Sequence, residues 1–220
     1  MIKTMAAAIF DLDGVVVNTA KYHYLAWRRL AKQLGFDFTE TDNERLKGVS
    51  RIRSLEILLE IGGKEADESA RQAMSAQKNT WYVQYIRDIH PADLLPGVVD
   101  YIRYIKQKSV KTAIASASNN AVFILDRLQV ASLFDVIIDG TKVRNAKPDP
   151  EVFVRAAQGL EIPPEGCVVF EDSEAGIEAA NRAGMGSVGV GKPENLVNAD
   201  MVIANFQQLI VLNLIHTNDD

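Results

Sequence analysis

A chain of 220 residues, 47% hydrophobic and 24% charged, has ordinary globular composition and can bury roughly seven-tenths of its unfolded surface, which excludes disorder, collagen-like repeats and a disulfide scaffold. Its single cysteine, Cys167, cannot close an internal bridge, and 24 basic against 29 acidic residues give a net charge of −5 with no basic run, so nucleic acid is not an expected partner. Apolar stretches such as 5–10 fall far short of the roughly 20 residues that span a bilayer, and the amino terminus lacks a leader's length and cleavage chemistry, so no membrane contact and a reducing, cytoplasmic location are expected.

In chain order, a short apolar run at 6–10 reads as a buried strand. Residues 20–90 carry no strand pattern. Ala26, Leu30 and Leu34 share one helical face, Leu55, Leu58 and Leu59 another, and Trp81, Tyr85 and Ile89 recur at i, i+4, i+8 on a third. Two prolines and a glycine within 91–97 mark a boundary, after which strand patterns return at 110–115, 136–138, 167–170 and 187–190. Helical patterns separate them. One is expected to start with Asp149 as N-cap and Pro150 at the first helical position, and another to run from 173 to 183 and stop at Gly184. No motif is readable after Gly191, and there is no internal repeat. The expected fold is α/β: a doubly wound, parallel-sheet, Rossmann-like core of residues 1–17 and 91–220, with residues 18–90 inserted as a helical cap hinged over the end of the first strand. Monomer is the default expectation.

Ligands of open α/β sheets bind beyond the carboxyl ends of the strands. There the sequence places Asp11-Leu12-Asp13-Gly14, then Ser116-Ala117-Ser118-Asn119-Asn120, Lys147-Pro148 and Glu171-Asp172. Asp11 and Asp13, two apart, should project to one side and Leu12 into the opposite layer. Four acids on one rim repel each other without a cation. All-oxygen ligands suit Mg²⁺ rather than zinc, and Mg²⁺ commonly shares its shell with a substrate phosphate. Lys147 supplies a second positive charge, and Ser116 a hydroxyl for phosphate oxygens. Taken singly, Asp-x-Asp-Gly is most often a turn and Glu-Asp before Ser173 a helix cap; the ordered set is what points to chemistry. Two glycine patterns are set aside. Gly184-x-Gly186-x-x-Gly189 leads from helix to strand, the reverse of the dinucleotide context, and Gly186 to Lys192 lacks the hydroxyl residue of a P-loop because Pro193 follows.

These four motifs resemble, in order, those of the haloacid dehalogenase-like superfamily of phosphotransferases, over roughly residues 6–191. Within it, Thr19-Ala20-x-x-His23, Trp27, Leu46-Lys47-Gly48-Val49-Ser50-Arg51, Lys78-Asn79, Pro91-Ala92-Asp93 and Ala115-Ser116-Ala117-Ser118 resemble the β-phosphoglucomutase family. The resemblance implies Asp11 as nucleophile and Asp13 as general acid and base. It implies Mg²⁺ on Asp11, the Asp13 backbone carbonyl, Glu171 and Asp172, with Ser116 and Lys147 gripping the transferring phosphate. Arg51, Ser118 and Asn120 would hold the distal phosphate, and His23, Lys47, Gly48 and Lys78 the cap side of the sugar pocket. Thr19, Trp27, Val49, Ser50, Ala117 and Asn119 complete the implied substrate contacts. The partner would be a small sugar phosphate, with β-D-glucose 1,6-bisphosphate as activator and intermediate. Two positions depart from the family's pattern: Asn18 stands where an acid is common, and Asn119 where a lysine is frequent, which removes a cation from the distal phosphate grip. A phosphatase on the same scaffold and a non-catalytic sugar-phosphate-binding module are the competing expectations.

Overall fold

Strand β1 (Ala7–Phe10) is buried along its whole length, and its side chains alternate between two cores. Ala8 and Phe10 face one core, Ala7 and Ile9 the other, as a central parallel strand covered on both faces requires. The computed structural model describes residues 5–46 and 49–210. Around β1 lie β2 (Lys111–Ala115), β3 (Val136–Ile138), β4 (Cys167–Glu171), β5 (Gly186–Val190) and β6 (Met201–Ile203) in the order β3-β2-β1-β4-β5-β6. Every neighbouring pair is parallel, with Phe10 in register with Ile114 on one side and Phe170 on the other. On one face Phe10 stacks on Phe170 with centroids 4.7 Å apart, and Tyr101 and Phe206 close around them. Burying each such ring is worth roughly 1.5–3 kcal/mol.

Among the described residues the helices include α1 (Ala20–Gln33), α2 (Glu40–Glu44), α3 (Arg51–Gly62), α4 (Glu68–Tyr85), α5 (Val98–Gln107), α6 (Ala121–Arg127), α7 (Glu151–Leu160) and α8 (Glu174–Arg182). The first four fall between β1 and α5, and α1 packs along α4 through His23 on Tyr82 and the Arg29 guanidinium over Trp81 at 4.3 Å. Their ends follow local chemistry: Ser50 caps α3 by accepting the Arg53 N–H, and Asp67 caps α4 by accepting that of Ala70 at 2.8 Å. Among the described residues no helix is long and apolar enough to cross a membrane.

The strands expected from the sequence are present within a residue at each end, and three details differ. First, β6 is an additional strand, as short and apolar as β3, on the opposite edge of the sheet. Second, α7 starts one residue later than expected: Pro150 occupies the cap position and Glu151 is the first helical residue. The Asp149 carboxylate accepts the Glu151 N–H at 2.9 Å, a two-residue side-chain turn in place of an N-cap. Third, Ile89 lies beyond α4, because the backbone tightens after Tyr85 into a single 3₁₀ turn; Ile89 is buried from there. The glycine pattern runs as expected from the end of a helix, at Gly184 (φ 72°), into β5.

Candidate active site

The chain runs β1 to β2 to β3 toward one edge of the sheet and β4 to β5 to β6 toward the other, so the order reverses between β1 and β4. That reversal leaves a crevice at the carboxyl ends of these two strands. Asp11 lies at the end of β1, its N–H held by the Phe170 carbonyl at 2.9 Å, and Glu171 ends β4. Both carboxylates converge on the Lys147 ammonium, Glu171 Oε2 at 2.7 Å and Asp11 through Oδ1, and all three residues are buried. Burial by itself would lower the lysine's pKa, but the two carboxylates outweigh it and hold the ammonium charged. Burial also raises the Asp11 carboxyl above its ordinary range against the pull of Lys147.

The second oxygen of Glu171 is fixed from the other side: Oε1 accepts the Ser173 N–H at 3.1 Å and its hydroxyl at 2.7 Å, while Ser173 also caps α8. Two glycines make room for the acids. A Cβ at Gly176 would fall 2.0 Å from Glu171 Cδ, and one at Gly14, whose φ is +88°, 2.1 Å from Asp172 Oδ2. Carboxylate oxygens of Asp11, Glu171 and Asp172 lie within 4.8 Å of one another. Three carboxylates this close together repel one another when ionised. The group therefore fits a divalent, oxygen-seeking ion such as Mg²⁺.

Asp13 shares the cavity with Asp11, while Leu12 between them is fully buried in the core. Thr19, buried at the start of α1, donates its hydroxyl proton to Asp13 Oδ1. Burial raises the Asp13 carboxyl, and this bond opposes the shift. His23 stands near the same oxygen, with Nε2 3.8 Å from Asp13 Oδ1 and Nδ1 2.9 Å from the Lys78 ammonium. An ammonium only donates, so Nδ1 accepts and the imidazole proton sits on Nε2, facing Asp13. Burial and the charges of Lys78 and Arg51 keep His23 neutral, well below its ordinary pKa. Lys78 itself lies over the rings of Trp27 (4.6 Å) and Tyr82 (4.8 Å), and burial, then repulsion from Arg51, brings its pKa down to about 7.

One cavity of about 430 Å³ joins these groups. Its floor presents Asp11, Asp13 and Asp172; one wall presents His23, Trp27, Val49, Ser50, Arg51 and Lys78; another presents Ala117, Ser118, Asn119 and Asn120. Ser116, Lys147, Glu171 and Thr19 sit just beneath this surface, buried, where they hold the lining groups. Lys47 and Gly48 lie outside the described residues. Asn120 Nδ2 donates to Asn79 Oδ1 at 3.1 Å, a direct bond between α4 and the loop after β2. Sequence reasoning missed Tyr82, Asn43 and Arg144, which also line the cavity. Tyr82 was findable: it stands four residues after Lys78, on the same face of α4.

Residues 5–184 match the model of the haloacid dehalogenase-like hydrolases, and the chain belongs to this family. It is 42% identical to the beta-phosphoglucomutase of Bacillus subtilis (strain 168), over 96% of this chain and 94% of that protein. It is 32% identical to the phosphorylated carbohydrates phosphatase of Thermotoga maritima, over 88% of this chain and 97% of that one. The crystal structure of beta-phosphoglucomutase from Clostridium difficile superposes with a TM-score of 0.89 at 44% identity, covering 93% of each chain. The chain is thus an enzyme of this family and a homologue of the beta-phosphoglucomutases.

Proposed function

We propose that the protein is a Mg²⁺-dependent mutase that interconverts β-D-glucose 1-phosphate and glucose 6-phosphate through a phosphorylated Asp11 and β-D-glucose 1,6-bisphosphate. The observation that carries this reading is a single cavity with reactive carboxylates on its floor and the cations Arg51 and Lys78 on the wall built by α3 and α4. Hydrolysis of a monophosphate needs only the floor. Holding a bisphosphorylated sugar in both orientations needs positive charge at a second place as well.

In this reading an Asp11 carboxylate oxygen bonds to phosphorus as the bond from phosphorus to the sugar oxygen breaks, and that oxygen takes the proton of Asp13. On return, Asp13 removes the proton of the sugar's other hydroxyl as it attacks the phosphorus, freeing Asp11. Burial raises the Asp13 carboxyl above its ordinary range, the direction that favours holding a proton. Ser116 and Lys147 hold the transferring phosphate. Mg²⁺ on Asp11, Glu171, Asp172 and the Asp13 carbonyl would offset the negative charge of phosphate and nucleophile. His23 and Lys78 orient the sugar, and Arg51, Ser118 and Asn120 hold its distal phosphate. Residues 18–90 form a cap that excludes water from phosphorylated Asp11 above a core of residues 1–17 and 91–220. The ion pair Lys21–Asp93, at 2.7 Å, ties the two crossings together. The enzyme works as a cytoplasmic monomer on a sugar phosphate.

A phosphatase is the second reading, favoured by the neutral Asn119 and by the Thermotoga relative. ³¹P NMR of the protein with β-D-glucose 1-phosphate, Mg²⁺ and a trace of the bisphosphate separates them. Glucose 6-phosphate without inorganic phosphate is expected; inorganic phosphate in its place would establish the phosphatase.

A further inference from the structure

We propose that Arg144 supplies the core-side positive charge for the distal phosphate of the bisphosphorylated sugar, and so helps determine that this cavity takes a bisphosphate. The inference rests on the mutase reading. A bisphosphate brings two dianionic groups into one cavity. The floor meets the first with Lys147 and the metal-binding acids. For the second, the wall after β2 offers Ala117, Ser118, Asn119 and Asn120, which are all neutral. On the opposite wall Lys78 is already bonded to His23, which leaves Arg51.

The loop between β3 and α7 closes against this neutral wall. Gly140 donates its N–H to the Ser118 carbonyl at 3.2 Å. A Cβ there would fall 2.4 Å from Asn119 Oδ1 and 2.3 Å from the Ala117 carbonyl oxygen, so the two loops meet with no side chain between them. Arg144, four residues on, lines the same cavity and is the one cation that the core contributes to its lining among the described residues. Its backbone is pinned: Glu151, in the first turn of α7, accepts the N–H of Arg144 at 3.0 Å and of Asn145 at 2.8 Å. Its exposed guanidinium makes no hydrogen bond or ion pair with any other described residue. A fixed backbone with an uncommitted five-donor fork at the rim suits capture of a phosphate, which a guanidinium binds through paired, charge-assisted hydrogen bonds. The cation absent at 119 is thus replaced from the adjoining loop.

The test is calorimetric titration of β-D-glucose 1,6-bisphosphate, with Mg²⁺, into protein carrying Asp11→Asn, so that bound ligand is not consumed. Adding Arg144→Ala should raise Kd about tenfold, the loss of one charged hydrogen-bonding group. Arg144→Lys should fall between. Lys142→Ala removes the same charge from the same loop, but Lys142 bonds the Ile137 carbonyl at 2.6 Å away from the cavity lining, and should leave Kd unchanged. Thermal melts confirm that each variant is folded. A Kd unmoved by Arg144→Ala overturns the assignment while leaving the mutase reading intact, and an equal loss in Lys142→Ala also overturns it by reducing the effect to net charge. Failure of the Asp11→Asn protein to bind any bisphosphate would overturn the mutase reading, and the role of Arg144 with it.

Discussion

The Lys78 ammonium lies 2.9 Å from Nδ1 of His23, so α4 and α1 are joined by a buried hydrogen bond between a cation and a neutral imidazole. The positive charge rests against the faces of Trp27 and Tyr82. Aromatic faces attract a cation far less than a carboxylate does in a desolvated site. That weak attraction does not offset the burial of the ammonium, so in the free protein the charge is destabilising.

This makes Lys78 a measurable term in stability. Its pKa falls to about 7 in the folded protein from the ordinary 10.5, so between these values the unfolded chain binds more protons and stability must rise with pH. Replacing Lys78 by Met removes the term. Urea unfolding of both proteins should show the Met variant gaining most on the parent below pH 7, and the gain shrinking toward pH 10 as the lysine becomes neutral in both states. A difference independent of pH would mean that the ammonium is well solvated.

Asp11 and Asp13 stand two residues apart yet should fail in different ways. Asp11→Asn should lower sugar-phosphate turnover roughly 10³-fold or more and abolish the aspartyl-phosphate signal in ³¹P NMR. Asp13→Asn should lower sugar turnover by a factor on the order of 10² to 10⁴. It should still let acetyl phosphate label Asp11, because acetate leaves without needing a proton. Equal loss of labelling in both variants would remove Asp13 from the acid and base role.

Much of this site was legible because its chemistry sits at strand ends, where an apolar run stops abruptly at an acid or a hydroxyl. Asp11 after β1 and Glu171 at the end of β4 needed only that pattern, and their adjacency followed from the sheet order. What the sequence hid was three-dimensional. Arg144 sits in a loop with no periodicity, and the close approach of Gly140 to the loop after β2 brings it to the cavity.

Removal of divalent ions should abolish turnover and also destabilise the protein. Asp11, Glu171 and Asp172 bring three carboxylates together, and an ion bound only by the folded state stabilises it by mass action. EDTA should therefore lower Tm, and Mg²⁺ should restore both Tm and activity in a concentration-dependent manner. Zinc, which prefers nitrogen and sulfur, should restore activity poorly. A Tm indifferent to Mg²⁺ would argue that the acids serve only Lys147.

The glycines beside the acids give the sharpest local test, because space and backbone angle can be varied apart. Gly176→Ala would drive a methyl to 2.0 Å from Glu171 Cδ, inside a buried ion pair with Lys147. It should cost about 3 kcal/mol or more in unfolding free energy and most of the Mg²⁺ affinity. Gly14→Ala meets the more accessible Asp172 at 2.1 Å and also an unfavourable φ of +88°, so Mg²⁺ affinity should fall roughly tenfold or more with a smaller loss of stability. Gly184→Ala is the control: its φ is +72°, but no atom lies within 4 Å of the added methyl. Strain alone should cost about 1–2 kcal/mol there and leave Mg²⁺ binding unchanged. Calorimetric Mg²⁺ titration and urea unfolding of the three variants check the ranking. Equal Mg²⁺ affinity in Gly176→Ala and Gly184→Ala would mean that Glu171 holds no metal.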